Sequence, residues 1–129
     1  MKTVYAVSAL IIKDGKILIQ KHVKLGKLSL PSGKIDKGET PPAAMCREIL
    51  EELGVSKARI RDCKIYKHKE INTVEYNYIV DLYEEWYNAE PEKHEWIDWL
   101  TPDEIASKNI PLAHTVKFGI KRMIKEELC

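Results

Sequence analysis

Residues 33–55 read GKIDKGETPPAAMCREILEELGV, and the fold of the chain turns on how this stretch is read. Thr40 suits a helix N-cap, and Pro41 suits the first helical position, where a missing N–H is harmless. Pro42 stays within that first turn, and Gly54 suits the position just past the C-terminal end. The spacing therefore predicts a helix over about residues 41–53. At 100° per residue, Cys46, Ile49, Leu50 and Leu53 form its apolar face, with Ala44 small enough to leave room elsewhere. Glu48, Glu51 and Glu52 recur at helical spacings and crowd together. Each such like-charge pair costs roughly 0.2–0.5 kcal/mol. A bound divalent cation turns that repulsion into a binding site, and magnesium typically takes one or two carboxylates plus phosphate oxygens. Arg47 can pair with Glu51 one turn on or with Glu39 in the preceding loop, holding a carboxylate in orientation. The plainer reading is a solvated charged helix with such pairs.

Outward from this stretch, residues 3–12 are β-branched and apolar and read as a strand. A turn at Lys13-Asp14-Gly15-Lys16 leads into a second strand over residues 16–23, giving a hairpin. Leu28 to Leu30 can form a short strand stopped by Pro31, and Ser32 to Gly38 reads as loop. Downstream, residues 57–69 hold one irregular strand. Residues 73–83 alternate clearly, with Val74, Tyr76, Tyr78, Val80 and Leu82 against Glu75, Asn77, Ile79 and Asp81. An acidic loop over residues 84–92 precedes a strand over residues 94–100. Thr101, Pro102 and Glu104 spell a capping box for a short helix. Pro111 begins the last helix, with a buried stripe of Leu112, Val116, Ile120, Met123 and Ile124 and a wet face of Lys117, Lys121, Arg122 and Lys125. Strands and helices do not alternate regularly, so the expectation is an α+β domain over residues 1–129, a mixed sheet flanked by helices.

Composition narrows the function classes. The 129 residues carry a formal net charge of +1, which argues against a general polyanion binder. Charge is uneven: residues 13–37 hold seven lysines and two aspartates, whereas residues 81–104 hold nine acids and one lysine. Cys46, Cys63 and Cys129 form no C-x-x-C pair, so neither a disulfide framework nor a structural zinc site is expected, and a reducing cytoplasmic setting fits. No apolar run approaches the ~18 residues of a membrane span. His22, His68 and His94 have no partner at metal-ligand spacing and read as ordinary histidines.

Gly33, Glu39, Arg47, Glu48, Ile49, Glu51, Glu52, Gly54 and Val55 fit the pattern G-x5-E-x7-R-E-U-x-E-E-x-G-U, with U a bulky aliphatic. This resembles the Nudix box, the signature of hydrolases that cleave a nucleoside diphosphate linked to another moiety. The resemblance implies an α/β/α sandwich with a loop–helix–loop catalytic motif. It implies Glu48, Glu51 and Glu52 as ligands for magnesium or manganese, joined by the carbonyl of Ser32. Glu95, before Trp96-Ile97-Asp98-Trp99, is the expected additional acid, with Glu92 second. Glu39 is expected to orient the loop and Arg47, and the general base is Glu48 or Glu51.

Outside the box, no proline follows at the distance usual for ADP-ribose hydrolases, and no tyrosine stands at the dinucleoside-polyphosphate position. The run from Glu90 to Trp99 is similar to that of small MutT-like enzymes, which cleave a nucleoside triphosphate to monophosphate and pyrophosphate. Lys21, Lys24, Lys27 and Lys34 are then candidate phosphate contacts. Tyr5, Leu28, Trp86, Trp96 and His114 are candidate walls for a base, His114 standing where such enzymes often place a base-reading asparagine. The alternatives are a nucleotide sugar, a dinucleoside polyphosphate, an RNA 5′ end, or a non-catalytic nucleotide sensor. The expected partner is a nucleotide, with no membrane or extended nucleic-acid surface, and the expected state a monomer or homodimer.

Overall fold

The computed structural model describes residues 2–129. Eight strands form two sheets. The first contains β1 (Val4–Leu10), β5 (Ser32–Lys34), β6 (Ala58–His68) and β7 (Thr73–Leu82) in the order β5-β1-β7-β6. β1 runs parallel to β7, and the other pairings are antiparallel. The second sheet is centred on β3 (Lys16–His22), with β8 (His94–Leu100) along one edge. β2 (Ile12–Lys13) and β4 (Leu28–Ser29) share the other edge. Three α-helices complete the chain: α1 (Pro41–Leu53), α2 (Pro102–Ser107) and α3 (His114–Lys125).

Strand alternation explains why helices sit on both faces. Val7 and Ala9 pack with Met45, Ile49 and Leu53 of α1. Leu10, on the opposite face, packs with Leu28, Leu30, Val116 and Met123 under α3. Each such fully buried aliphatic side chain contributes about 1.5–3 kcal/mol. The result is the mixed sheet flanked by helices that the sequence implies. Among the described residues, no helix is long and apolar enough to cross a membrane.

The expected hairpin is smaller than the pattern suggests. Residues 3–12 do not run as one strand, and β1 leaves for the other sheet at Ile11. Only β2 pairs with β3 across Asp14 and Gly15, both at positive φ as a two-residue turn of this hand requires. β1 is a central strand buried on both faces, which its near-continuous apolar sequence permits. Residues 32–34 are also not loop: they form β5, pairing antiparallel with residues 6–8 of β1.

The predicted helix is α1. Its N-cap Thr40 side chain accepts a hydrogen bond from the Ala43 N–H, and Gly54 ends it at φ 66°. A Cβ at Gly54 would also lie 2.1 Å from the Tyr87 ring. The apolar face is rotated from the expected one, however. Ala44, Met45, Ile49 and Leu53 are buried, whereas Cys46 is exposed and Leu50 is 52% exposed. The rotation brings Glu48 and Glu52 to the flank of the core rather than to the far side.

α3 differs in the same way. Ile124 is exposed and Arg122 is buried, reversing the expected stripe at those two positions. Arg122 Nη1 donates to the Asn77 carbonyl at 2.8 Å and to Asn77 Oδ1 at 3.0 Å, and Nη2 donates to the Asp62 carbonyl. Asn77 Nδ2 donates to Ser8 Oγ at 2.7 Å, and Ser8 donates to Glu75 Oε2. His68 Nε2 completes the row, 2.8 Å from Glu75 Oε1. A guanidinium can stay buried here because it meets carbonyl and carboxamide acceptors in place of water.

Candidate active site

The spacing of the box becomes geometry through Arg47. Its Nε donates to Glu39 Oε2 at 2.6 Å and its Nη2 to Glu39 Oε1 at 2.9 Å, a two-pronged pairing suited to a planar guanidinium. Nη1 donates to Glu48 Oε1 at 2.8 Å and Glu51 Oε2 at 3.3 Å, and Nη2 also reaches the Lys34 carbonyl at 3.0 Å. Glu39 Oε1 accepts the Asp36 N–H at 2.8 Å. Glu39 and Arg47 thus fasten the loop to the helix. The hydrogen bonds from Arg47 and then from the Asp36 amide hold the Glu39 carboxyl down at about 2.

Gly33 is the matching feature of β5. A Cβ there would lie 2.1 Å from Glu48 Oε1, so the Glu48 carboxylate occupies the space of the missing side chain. Burial pushes Glu48 up to about 7, and the charge of Glu52 adds to the shift. Glu52 is 4% exposed. Burial pushes it up to about 8, with Glu90 adding to the shift. Glu51 lies on the outer side, half exposed and paired with Arg47.

The loop after β7 completes the group. The Tyr87 N–H donates to the Leu53 carbonyl and the Ala89 N–H to the Glu52 carbonyl, both at 3.0 Å, so the loop is stitched to the end of α1. Within it Trp86 meets Trp99 edge-on, with ring centroids 6.5 Å apart. The Lys93 and His94 N–H groups both donate to the Glu90 carbonyl, closing a tight turn. One ligand atom each from Glu52, Glu90 and His94 then lie within 4.8 Å of one another. Burial lowers the His94 pKa below its ordinary value, which favours the neutral imidazole.

The expected positions divide accordingly. The box glutamates and Arg47 come together. Ser32 does too: its N–H donates to Glu52 Oε2 at 3.1 Å. Glu95 does not join the group: its carboxylate pairs with Lys21 Nζ at 2.8 Å. Glu90 lies beside Glu52 and His94 instead. Leu28 is fully buried in the core under α3, so it is no wall for a ligand. Lys34 is exposed, and Lys21 is the partner of Glu95. His114 opens α3 with its ring 5.1 Å from that of His68, and Ala113, not His114, is the N-cap. His94, read from the sequence as an ordinary surface or core histidine, is buried and meets Glu52 and Glu90. No fixed spacing links His94 to Glu52, because a turn and a helix end bring them together.

This donor set fits a divalent cation. Carboxylate oxygens and one imidazole nitrogen converge, and the two buried carboxylates hold protons more tightly than free glutamates. A cation among them offsets the charge that burial makes costly.

Comparison with known proteins agrees. Residues 2–124 match the NUDIX domain family. The chain is 27% identical over 127 residues to the CTP pyrophosphohydrolase of Escherichia coli (strain K12), covering 87% of this chain and 90% of that protein. It is 46% identical over 54 residues to the RNA pyrophosphohydrolase of Gluconobacter oxydans, but that match covers 40% of this chain and only 32% of the relative. A crystal structure of a MutT NUDIX hydrolase from Burkholderia pseudomallei superposes with a TM-score of 0.75 at 28% identity, covering 94% of this chain and 98% of the other. With a family model matching nearly the whole length, the chain belongs to the NUDIX domain family.

Proposed function

We propose that this chain hydrolyses a nucleoside triphosphate to the monophosphate and pyrophosphate, with a divalent cation held by Glu48, Glu52 and Glu90. The observation that carries this reading is the buried acid group beside Arg47, in which Glu48 and Glu52 are pushed up to about 7 and about 8. Whole-length similarity to a CTP pyrophosphohydrolase supports the choice of a triphosphate. When bound, the cation supplies charge neutralisation on phosphate oxygens and a more acidic water.

The chain's own residues do the rest. Arg47 holds Glu48 and the loop carboxylate Glu39 in fixed orientation, so Glu48 meets substrate without reorganising. Glu48 is the better candidate than Glu51 for accepting a proton from water. Its carboxylate is largely buried and fixed by Arg47 at 2.8 Å against Gly33, whereas Glu51 is half exposed on the outer side. Lys21, Lys24, Lys27 and Lys34 lie on or near the second sheet and box loop, where they attract a polyphosphate. His114 remains the candidate contact for the base.

A second reading, an RNA 5′ end as substrate, draws on the relatives named RNA pyrophosphohydrolase. Their matches cover 40% and 38% of this chain, which weakens that support. One panel tests both: ribo- and deoxynucleoside triphosphates, nucleotide sugars, dinucleoside polyphosphates and a 5′-triphosphorylated oligoribonucleotide, each with magnesium or manganese. Released pyrophosphate from free triphosphates is the expected result. Turnover confined to the oligonucleotide or to sugar nucleotides overturns the triphosphate assignment.

A further inference from the structure

His94 is the member of the acid group that the box does not supply. It opens β8 and is 2% exposed. Its Nε2 lies 3.4 Å from Glu52 Oε1, at the far limit of a hydrogen bond, and its Nδ1 is buried without a partner. Beside Glu52, the Gln20 side chain is buried and lowers the Glu52 pKa through a hydrogen bond, against the larger effect of burial. The ligand atoms of Glu52, Glu90 and His94, all within 4.8 Å of one another, form a donor group of a size that suits one cation.

The surroundings are built to hold this geometry. The main chain of the loop is tied to α1 at the Glu52 carbonyl, the Asn88 side chain donates to the His94 carbonyl at 2.8 Å, and the Glu90 carbonyl receives two amides. One Glu90 oxygen is held by Lys93 Nζ at 3.1 Å, leaving the other for a ligand. Two carboxylates and one neutral imidazole are a different donor set from carboxylates alone. Hard magnesium prefers oxygen and gains little from an imidazole, whereas first-row ions bind nitrogen strongly.

We propose that His94 Nε2 is a nitrogen ligand in the metal site with Glu52 and Glu90, and that it makes the site select Mn2+, Co2+ or Zn2+ over Mg2+. The inference shares Glu52 with the proposed hydrolase reading and rests on it for the presence of a cation. Its own content is the nitrogen bond and the metal preference.

The test uses full-length, tag-free, metal-free protein in a nitrogen-free buffer. Pulsed electron paramagnetic resonance on the Mn2+-loaded protein should show coupling to a nitrogen nucleus. Calorimetric titrations with Mn2+ and with Mg2+ give the affinity ratio for wild type and for His94→Gln. The substitution should weaken Mn2+ at least about tenfold while leaving Mg2+ within about twofold, so the ratio falls. Glu95→Gln, next along the strand and paired outward with Lys21, should leave the ratio unchanged. Absence of nitrogen coupling in wild type overturns the proposal, as does an unchanged ratio in His94→Gln. If His94→Gln does not fold, the wild-type resonance spectrum decides alone. Nitrogen coupling without hydrolysis of any nucleotide would sink the functional reading and leave this one standing; hydrolysis without nitrogen coupling would do the reverse.

Discussion

Glu52 and Glu75 are both almost wholly buried, on opposite faces of the same sheet, and they live in contrasting company. Glu75 accepts from Ser8 and pairs with His68, and the row continues through Asn77 to Arg122, which itself finds carbonyl, carboxamide and Glu126 acceptors. Glu52 is met by the Ser32 amide and the Gln20 side chain, with Glu48 and Glu90 close by and, among the described residues, no buried cation paired with it. The first arrangement balances its charges within the chain. The second keeps carboxyl groups out of water where their ionised forms are costly, the usual signature of a site that works on something it does not contain. Burial alone therefore does not mark function; the lack of compensation does.

The largest expected effect comes from making the two sides alike. Glu52→Gln removes the ionisable carboxyl and should lower turnover on the order of 10³-fold, measured by pyrophosphate release at saturating cation. The same change should flatten the pH dependence of stability. Glu52 holds its proton up to about 8 in the fold, against about 4.5 when unfolded, so its contribution is fully present below about 4.5 and is lost as pH rises through about 8. Melting temperatures of the metal-free protein should fall from pH 5 to pH 8, with Glu48 adding to the fall up to about 7. In Glu52→Gln most of that slope should vanish; a slope equal to wild type would show that Glu52 is compensated after all.

Breaking the balanced side should cost stability and spare the chemistry. Arg122→Leu leaves Asn77 and the Asp62 carbonyl without their donor, and removal of one partner from such a buried network typically costs about 3–5 kcal/mol. Urea denaturation should read that loss, while turnover per folded molecule stays near wild type. A loss below about 1 kcal/mol would mean that water replaces the guanidinium and that the row is not a closed network. A smaller effect sharpens the boundary of the site. Thr40→Ala removes the α1 cap and should cost about 1 kcal/mol in the same assay, with little change in turnover, because the carboxylates lie two turns further on.

What could be read from the sequence was what local chemistry decides. Thr40, Pro41 and Gly54 gave the limits of α1, and Thr101 with Glu104 gave the start of α2, because caps act on neighbouring amides. The partners of β1 were not readable, since alternation says which side chains share a face and not which strand lies alongside. The same limit hid the polar row. Glu75 and Asn77 alternate with apolar residues as a solvent face would, but α3 covers that face. Arg122 fell on the apparent wet side of a helix wheel, which has no knowledge of the acceptors a neighbouring strand offers. At the site, Glu48, Glu51 and Glu52 were legible because one helix spaces them. Glu90 and His94 were not, since their approach depends on a turn and on how the loop seats against the end of α1.

That seating has a practical consequence. The loop carrying Glu90 begins beside Trp86, whose indole stands edge-on to Trp99, and the next residue, Tyr87, both donates to the helix end and fills the space that Gly54 leaves open. Displacement of the loop from α1 therefore changes the surroundings of an indole pair. The molecule carries an intrinsic optical gauge of whether its acid group is assembled, readable in tryptophan emission without any attached label.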